Sequence, residues 1–419
     1  ELDLTGELIA EGTTPGGADR MTRLRRVLME LKEVRGTITR LADGATLDDV
    51  ELFELKAFAM IAVTLRKTLL DGAIRCVDVP DLEEVVDVLD PGHARIPHFY
   101  IYDAYDARLA DVRARLKALD AEGKTDTPER EEFFIRSQEL EDEVRATLSA
   151  RLRPRAADLK EALDAAARLD VLQARAALAE GYGLCRPRVA DGDTSYRGLF
   201  NPAVREVLRA EGKDFQPVDI RITDGPTVIT GANMAGKSVL LKTVALAQTM
   251  CQYGFHVAAE EATVAPVDEV ALCIGDEQSE FSGLSSFASE MLRIDEVLRR
   301  LRSGVRALVL IDEPARTTNP VEGRALVDSL LRLLARFRSP ALVATHYSGL
   351  TALCRRLRVR GFVADRVSGS LNVGDISRYI DYSLIEESGD VVPHEAVRIA
   401  RLLGVDEELL AGAENCLTS

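Results

Sequence analysis

The chain has 419 residues, 46% of them hydrophobic and 29% charged, which is material for two or three ordinary domains. A formal charge of −16 at pH 7 excludes a surface that grips nucleic acid indiscriminately, because phosphate neutralisation needs clustered Lys and Arg; a local basic stripe stays open. No run approaches the roughly 18 apolar residues of a membrane span and no secretion signal is legible, so a cytoplasmic site of action without membrane contact is expected. Cys76, Cys185, Cys251, Cys273, Cys354 and Cys416 form no CxxC pair and make no metal-ligand spacing with histidine, so free, mostly buried thiols are expected. The first residue is Glu1 rather than Met, which leaves open whether further residues precede it.

From about Met21 to Gly181 apolar residues return every three or four positions, which predicts an all-α domain over residues 1–188. Ile101, Tyr105, Leu109, Val112, Leu116 and Leu119 share one helix face. Leu140, Val144, Leu148, Leu159, Leu163, Leu169 and Leu172 form a second, with a kink expected at Pro154. Between them residues 121–128 read as a turn, where Thr127 can cap the next helix and Pro128 suits its first position. The product is an antiparallel helical hairpin. Its longer limb, if continuous from Glu129 to Glu180, would extend about 75 Å at 1.5 Å per residue, a lever-like shape. Arg145, Arg151, Arg153 and Arg155 are the local basic concentration of this half, open to two readings: a solvated face among neighbouring acids, or a contact with a polyanion or partner.

Beyond Pro187 short β-rich runs alternate with helices, predicting an α/β domain over residues 189–392. Thr227–Thr230, Ala307–Ile311 and Ala341–Thr345 read as buried parallel strands that deliver polar residues at their carboxyl ends, where open α/β sheets bind ligands. The first is followed by Gly231-Ala232-Asn233-Met234-Ala235-Gly236-Lys237-Ser238, then by a helix to Cys251. Gly231 and Gly236 let the backbone fold around an anion, so that successive N–H groups and the helix start point at phosphates. Lys237 can reach β and γ oxygens, and the Ser238 hydroxyl can hold Mg²⁺. Strand, loop and helix in this order predict a site for ATP or GTP.

Residues 282–291 form a small-residue turn opening a helix with Phe287, Met291, Ile294, Leu298 and Leu301 at helical spacing, and such a helix start is a second anion site. One phosphate already being served by Lys237, this turn points to a second subunit that completes the nucleotide site across a dimer interface. The next strand ends in Asp312-Glu313, the order expected when one carboxylate assists the magnesium shell and the next polarises the attacking water. The third ends in Thr345-His346-Tyr347, where His346 either senses the γ-phosphate and water or is merely packed.

Together Thr230 to Ser238, Gly283 to Met291, Asp312-Glu313 with Arg316-Thr317-Thr318-Asn319 and Glu322-Gly323, and Ala344 to Tyr347 resemble the ATPase domain of the MutS family. The resemblance implies a P-loop NTPase of the ABC type, preceded by the all-α lever domain, hydrolysing ATP with Mg²⁺ as a homodimer with composite sites. Carried over by position, Asn233, Lys237 and Ser238 serve phosphates and metal in their own subunit, and Ser285, beside Gly283, reaches the partner's γ-phosphate. Phe215 stands where the family stacks an aromatic on adenine, although a core role is as well supported by the sequence. Residues 393–419 resemble the family's C-terminal helix-turn-helix, which helps to hold the dimer. Ala232 and Ala235 replace a proline and a glycine of the family's loop, Val239 removes a hydroxyl, and Thr317 stands where the family has glycine. No phenylalanine begins the Phe-x-Glu wedge of mismatch-reading members, and residues 1–188 are too few for mismatch, connector, lever and clamp domains together.

Two functions follow from the resemblance. One is a dimeric ATPase that couples nucleotide turnover to lever movement on DNA, in mismatch repair or DNA-structure binding without mismatch reading itself. The other is a reactivase that remodels a protein partner, a cobalamin-dependent aminomutase, to which Arg95 to Tyr105 is similar in the lever region. The acidic charge and missing wedge favour the second, the family as a whole the first. A third is an ATP-gated dimerisation module with little turnover.

Overall fold

The computed structural model describes residues 1–231, 236–274, 286–363, 379–387, 397, 400–401 and 404–418. The chain divides into two compact units, Glu1–Ala177 and Leu178–Ser419.

The first unit is helical: α1 (Leu2–Gly12), α2 (Gly17–Leu28), α3 (Arg35–Ala42), α4 (Asp49–Asp71), α5 (Glu83–Leu89), α6 (Ala107–Ala121), α7 (Pro128–Leu152) and the start of α8 (Ala156–Tyr182). Helix α4 is its centre because Leu52, Leu55, Phe58, Ala59, Ala62, Leu65 and Leu69 recur on a three-four spacing and are all buried. A capping box fixes where it begins: the Asp48 side chain accepts from the Glu51 amide, and the Glu51 side chain accepts from the Asp48 amide. Helices α6 and α7 are joined through residues 122–127. Thr127 caps α7 and Pro128 occupies its first turn. The long limb is not one α-helix, because Arg153–Arg155 around Pro154 tighten into a 3₁₀ turn between α7 and α8. Proline lacks the amide that a continuous helix would need there. Three of the four arginines of the basic cluster are engaged within the unit: Arg145 pairs with Asp49 at 2.7 Å, Arg153 donates to the Gly44 carbonyl, and Arg155 donates to the Asp81 carbonyl and pairs with Asp158, while Arg151 is exposed.

The second unit contains two sheets among the described residues. The smaller is ordered β1-β5-β2-β3, from β1 (Arg188–Val189), β2 (Thr194–Leu199), β3 (Val218–Ile222) and β5 (Glu261–Val264). The larger is ordered β10-β9-β4-β8-β7-β6, from β4 (Gly225–Thr230), β6 (Glu269–Cys273), β7 (Ala307–Asp312), β8 (Pro340–Ala344), β9 (Arg355–Phe362) and β10 (Ile380–Glu386). Its strands are parallel except β10, which runs antiparallel to β9. Alternate residues of these strands feed two cores, as the pleat requires. Ile229, Leu308, Leu310 and Leu342 pack with Leu241, Val244 and Ala247 of α10 (Lys237–Gln252). Val228, Val309, Ile311 and Val343 pack with Ile294, Leu298 and Leu301 of α11 (Ser286–Arg302) and with Val327 and Leu331 of α12 (Pro320–Leu334). Helix α9 (Pro202–Ala210) follows β2. Of the expected C-terminal helix pair, α13 (Glu407–Thr418) is described.

All six cysteines are free thiols, and burial raises the pKa of Cys76, Cys251 and Cys273 to about 11. No helix among the described residues is long and apolar enough to cross a membrane.

Candidate nucleotide site

The larger sheet brings the chemistry to one edge. Strand β8 lies between β4 and β7, with Ala344 in register with Ile229 on one side and Asp312 on the other. Three strand ends therefore stop at one level, and the Thr345 amide bonds Ile229 while the Glu313 amide bonds Ala344 at 2.8 Å.

Helix α10 opens at Gly236, whose φ of 72° is left-handed and favours glycine. A Cβ there would also lie 3.1 Å from the ring of Tyr382 on β10. Lys237, 4% exposed, turns back so that Nζ donates to the Gly231 carbonyl at 2.6 Å and lies 3.5 Å from Glu313 Oε1. Burial lowers the pKa of this lysine, and the Glu313 and Asp312 carboxylates oppose the shift. Ser238, the next residue, donates its hydroxyl to Asp312 Oδ2. The other oxygen, Asp312 Oδ1, is buried without a hydrogen-bond partner among the described residues. A carboxylate oxygen kept from water without a partner in this way is costly until a donor or a cation meets it. A serine hydroxyl beside a half-satisfied aspartate is the hard-oxygen pair that suits Mg²⁺, a cation that takes few protein ligands and keeps phosphate and water for the rest.

Glu313 stands over Lys237 in left-handed backbone, φ 47°. Non-glycine residues adopt this region at a cost of order 1–3 kcal/mol and hold it only where neighbours over-determine it. Its Oε2 lies 3.8 Å from Arg316 Nη1 and 3.9 Å from His346 Nδ1. His346 is not packed away: its side chain is 40% exposed and its ring tilts against Tyr347 at 4.5 Å.

Beside Gly236 a cavity of about 750 Å³ opens, walled by Val204, Leu208, Phe215, Leu240, Thr243 and Tyr382. Phe215 lines this cavity half-buried and is not among the buried core residues. Its neighbour Gln216 fixes the wall by donating to Asp381 Oδ1 at 2.8 Å and accepting from the Tyr382 amide at 3.1 Å. Burial pushes the Asp381 pKa up, but hydrogen bonds from Gln216 and Ser383 and the nearby Arg360 charge outweigh it and hold it at about 2. An apolar slot with two aromatic walls fits a planar base. Tyr382 carries no local signal in the sequence, since only strand pairing brings it to the loop.

The structure thus gathers Gly231, Gly236, Lys237, Ser238, Asp312, Glu313 and His346 at one edge, with Phe215 in the adjoining cavity. Ala232, Asn233, Met234, Ala235, Gly283 and Ser285 lie outside the described residues.

Residues 227–419 match MutS domain V. An endonuclease MutS2 of Thermus thermophilus is 35% identical over 260 residues, 61% of this chain and 32% of that protein. The endonuclease MutS2 of Agathobacter rectalis is 33% identical over 294 residues, 68% of this chain and 35% of that protein. A DNA mismatch repair protein MutS, also of Thermus thermophilus, is 34% identical over 286 residues, 66% of this chain and 34% of that protein. The chain spans about a third of the length of these curated relatives.

Proposed function

Because this chain belongs to the MutS family through its ATPase domain, we propose that it binds and hydrolyses ATP as a homodimer and uses the nucleotide state to move its helical unit on DNA. The observation that carries the reading is the meeting of Lys237, Ser238, Asp312 and Glu313 at the ends of β4 and β7, with one Asp312 oxygen left unpartnered among the described residues.

In this reading Lys237 exchanges the Gly231 carbonyl for β and γ oxygens of ATP, whose negative charge offsets the burial that disfavours its ammonium. The backbone of Ala232 to Gly236 cradles the phosphates, and Phe215 and Tyr382 enclose the adenine. Ser238 and Asp312 would hold Mg²⁺, which would supply charge neutralisation at the phosphates. Glu313 orients a water and takes its proton as the water oxygen bonds to the γ-phosphorus and the bond to the ADP oxygen breaks. His346 stands where it can sense the γ-phosphate through Glu313. Gly283 and Ser285 of a second copy complete the site.

DNA enters the proposal from the names of the relatives. One observation favours a protein partner instead: of the basic cluster Arg145, Arg153 and Arg155 are engaged inside their own unit, which in a chain of net charge −16 leaves Arg151 as the exposed member without such a contact. Titration against branched, mismatched and plain duplex DNA at two salt concentrations, with ATP and with ADP, separates the two. Nucleotide-dependent binding with a steep salt slope is expected on the DNA reading. Salt-insensitive or absent binding, with ATP turnover intact, transfers the activity to a protein substrate.

A further inference from the structure

The turn that presents Glu313 is gripped from outside the nucleotide site. Glu313 and Ala315 both have left-handed backbone, with φ of 47° and 61°. Pro314 between them has no amide, so the Ala315 N–H is the first donor after Glu313. That N–H donates to both carboxylate oxygens of Glu290, at 3.2 Å each. The Ala315 carbonyl accepts from the Tyr347 hydroxyl at 2.8 Å. Ala315 itself is completely buried, so water cannot replace either partner cheaply.

Three further elements converge on this residue. Glu290 belongs to the first turns of α11, and Tyr347 follows β8, its amide bonded to Thr345 Oγ1 at 3.1 Å. Gly323 on α12 completes the arrangement by omission. A Cβ there would lie 2.2 Å from the Tyr347 hydroxyl, so a side chain at 323 would displace the phenol from Ala315.

We infer that Glu290 is a positioning residue for Glu313, a clamp through which the placement of α11 sets the aim of the hydrolytic carboxylate. The charge on Glu290 makes its bond to the Ala315 amide stronger than a neutral acceptor would. Without it, the two left-handed residues lose one of the contacts that over-determine them, and Glu313 relaxes from its place over Lys237. The same helix begins at the turn proposed to face the second subunit. A shift of α11 when two copies close on nucleotide therefore reaches Glu313 through one hydrogen-bonded residue. The geometry of the clamp is independent of the ATPase reading; its catalytic consequence rests on that reading.

The decisive measurement is amide hydrogen exchange at Ala315 in the full chain without nucleotide, for the parent, Glu290→Ala, Glu290→Gln and Tyr347→Phe. Exchange in Glu290→Ala should rise about tenfold or more, Glu290→Gln should fall between it and the parent, and Tyr347→Phe should shift in the same direction. In turnover assays Glu290→Ala should lower kcat roughly tenfold with ATP affinity, read by direct binding, within about twofold, and Glu290→Gln should recover most of the loss. Unchanged exchange in the folded Glu290→Ala protein overturns the clamp. Faster exchange with parental kcat overturns its positioning role. Should Glu290→Ala not fold, Glu290→Gln and Tyr347→Phe decide by the same exchange readout. A parent with no ATP turnover refutes the ATPase reading, while the exchange result still decides the clamp.

Discussion

Each unit of the molecule buries a lysine among carboxylates, Asp90 in the helical unit and Glu313 with the nearby Asp312 in the α/β unit, and the two sites differ in how completely they are closed. In the helical unit Lys56 is fully buried; its Nζ donates to Asp90 Oδ1 at 3.1 Å and to the His98 carbonyl at 2.7 Å, and it lies over the Tyr102 ring. Asp90 uses its second oxygen to accept from the Arg95 amide at 2.7 Å. Burial pushes the Asp90 pKa up, yet the Arg95 amide and Lys56 outweigh it and bring it below the usual carboxylate range. In the α/β unit Lys237 is buried almost as deeply, but Asp312 keeps one buried oxygen without a partner among the described residues. A buried charge that is fully answered is costly to break, and a buried polar atom left unanswered is costly until a partner meets it. The closed pair pins residues 90–102 to α4; the open pair lies at the strand ends where a nucleotide would bind.

The comparison breaks most visibly at the closed pair. Lys56→Met should destabilise the protein by about 3–5 kcal/mol in denaturant unfolding, since it strands Asp90. Adding Asp90→Leu should recover much of that loss, and a single mutant of parental stability would show the pair to be idle. At the open site the effects should appear in function and not in folding. Glu313→Gln should lower ATP turnover by about 10²–10⁴-fold while ATP binding persists, and Lys237→Ala should weaken binding itself, with no comparable loss of stability in either. Near-parental turnover in Glu313→Gln would move the water-activating role elsewhere.

The smallest effect concerns Asp381 behind the cavity wall. Its folded pKa of about 2 lies below the ordinary value of 3.8, so it stabilises the fold at pH above about 4 and that contribution is lost as pH falls toward 2. Asp381→Asn should flatten the loss of stability between about pH 4 and 2 in acid titrations followed by circular dichroism. An unchanged acid slope would remove Asp381 from the wall's support.

Much of this was legible because it is local. The three-four spacing of Leu140, Val144 and Leu148 and the cap at Thr127 give α7 directly, and Gly231 to Ser238 between a β-branched run and a helix mark the candidate phosphate loop. The missed parts have longer range. The smaller sheet β1-β5-β2-β3 is not legible, because two- to six-residue strands carry too few positions for a period to show. Glu290 was visible only as a helical position within the resemblance, and Tyr382 not at all.

By itself the sequence determined which side chains could do phosphate chemistry, since glycine spacing, a terminal Lys-Ser pair and an acidic pair at a strand end are constraints between near neighbours. Only the tertiary structure decided that β8 runs between β4 and β7, that Asp312 is left with an open oxygen, and that Glu290 and Tyr347 hold the turn beneath Glu313. Those outcomes depend on strand order and on the burial of particular atoms, and both arise from contacts between residues far apart in the chain.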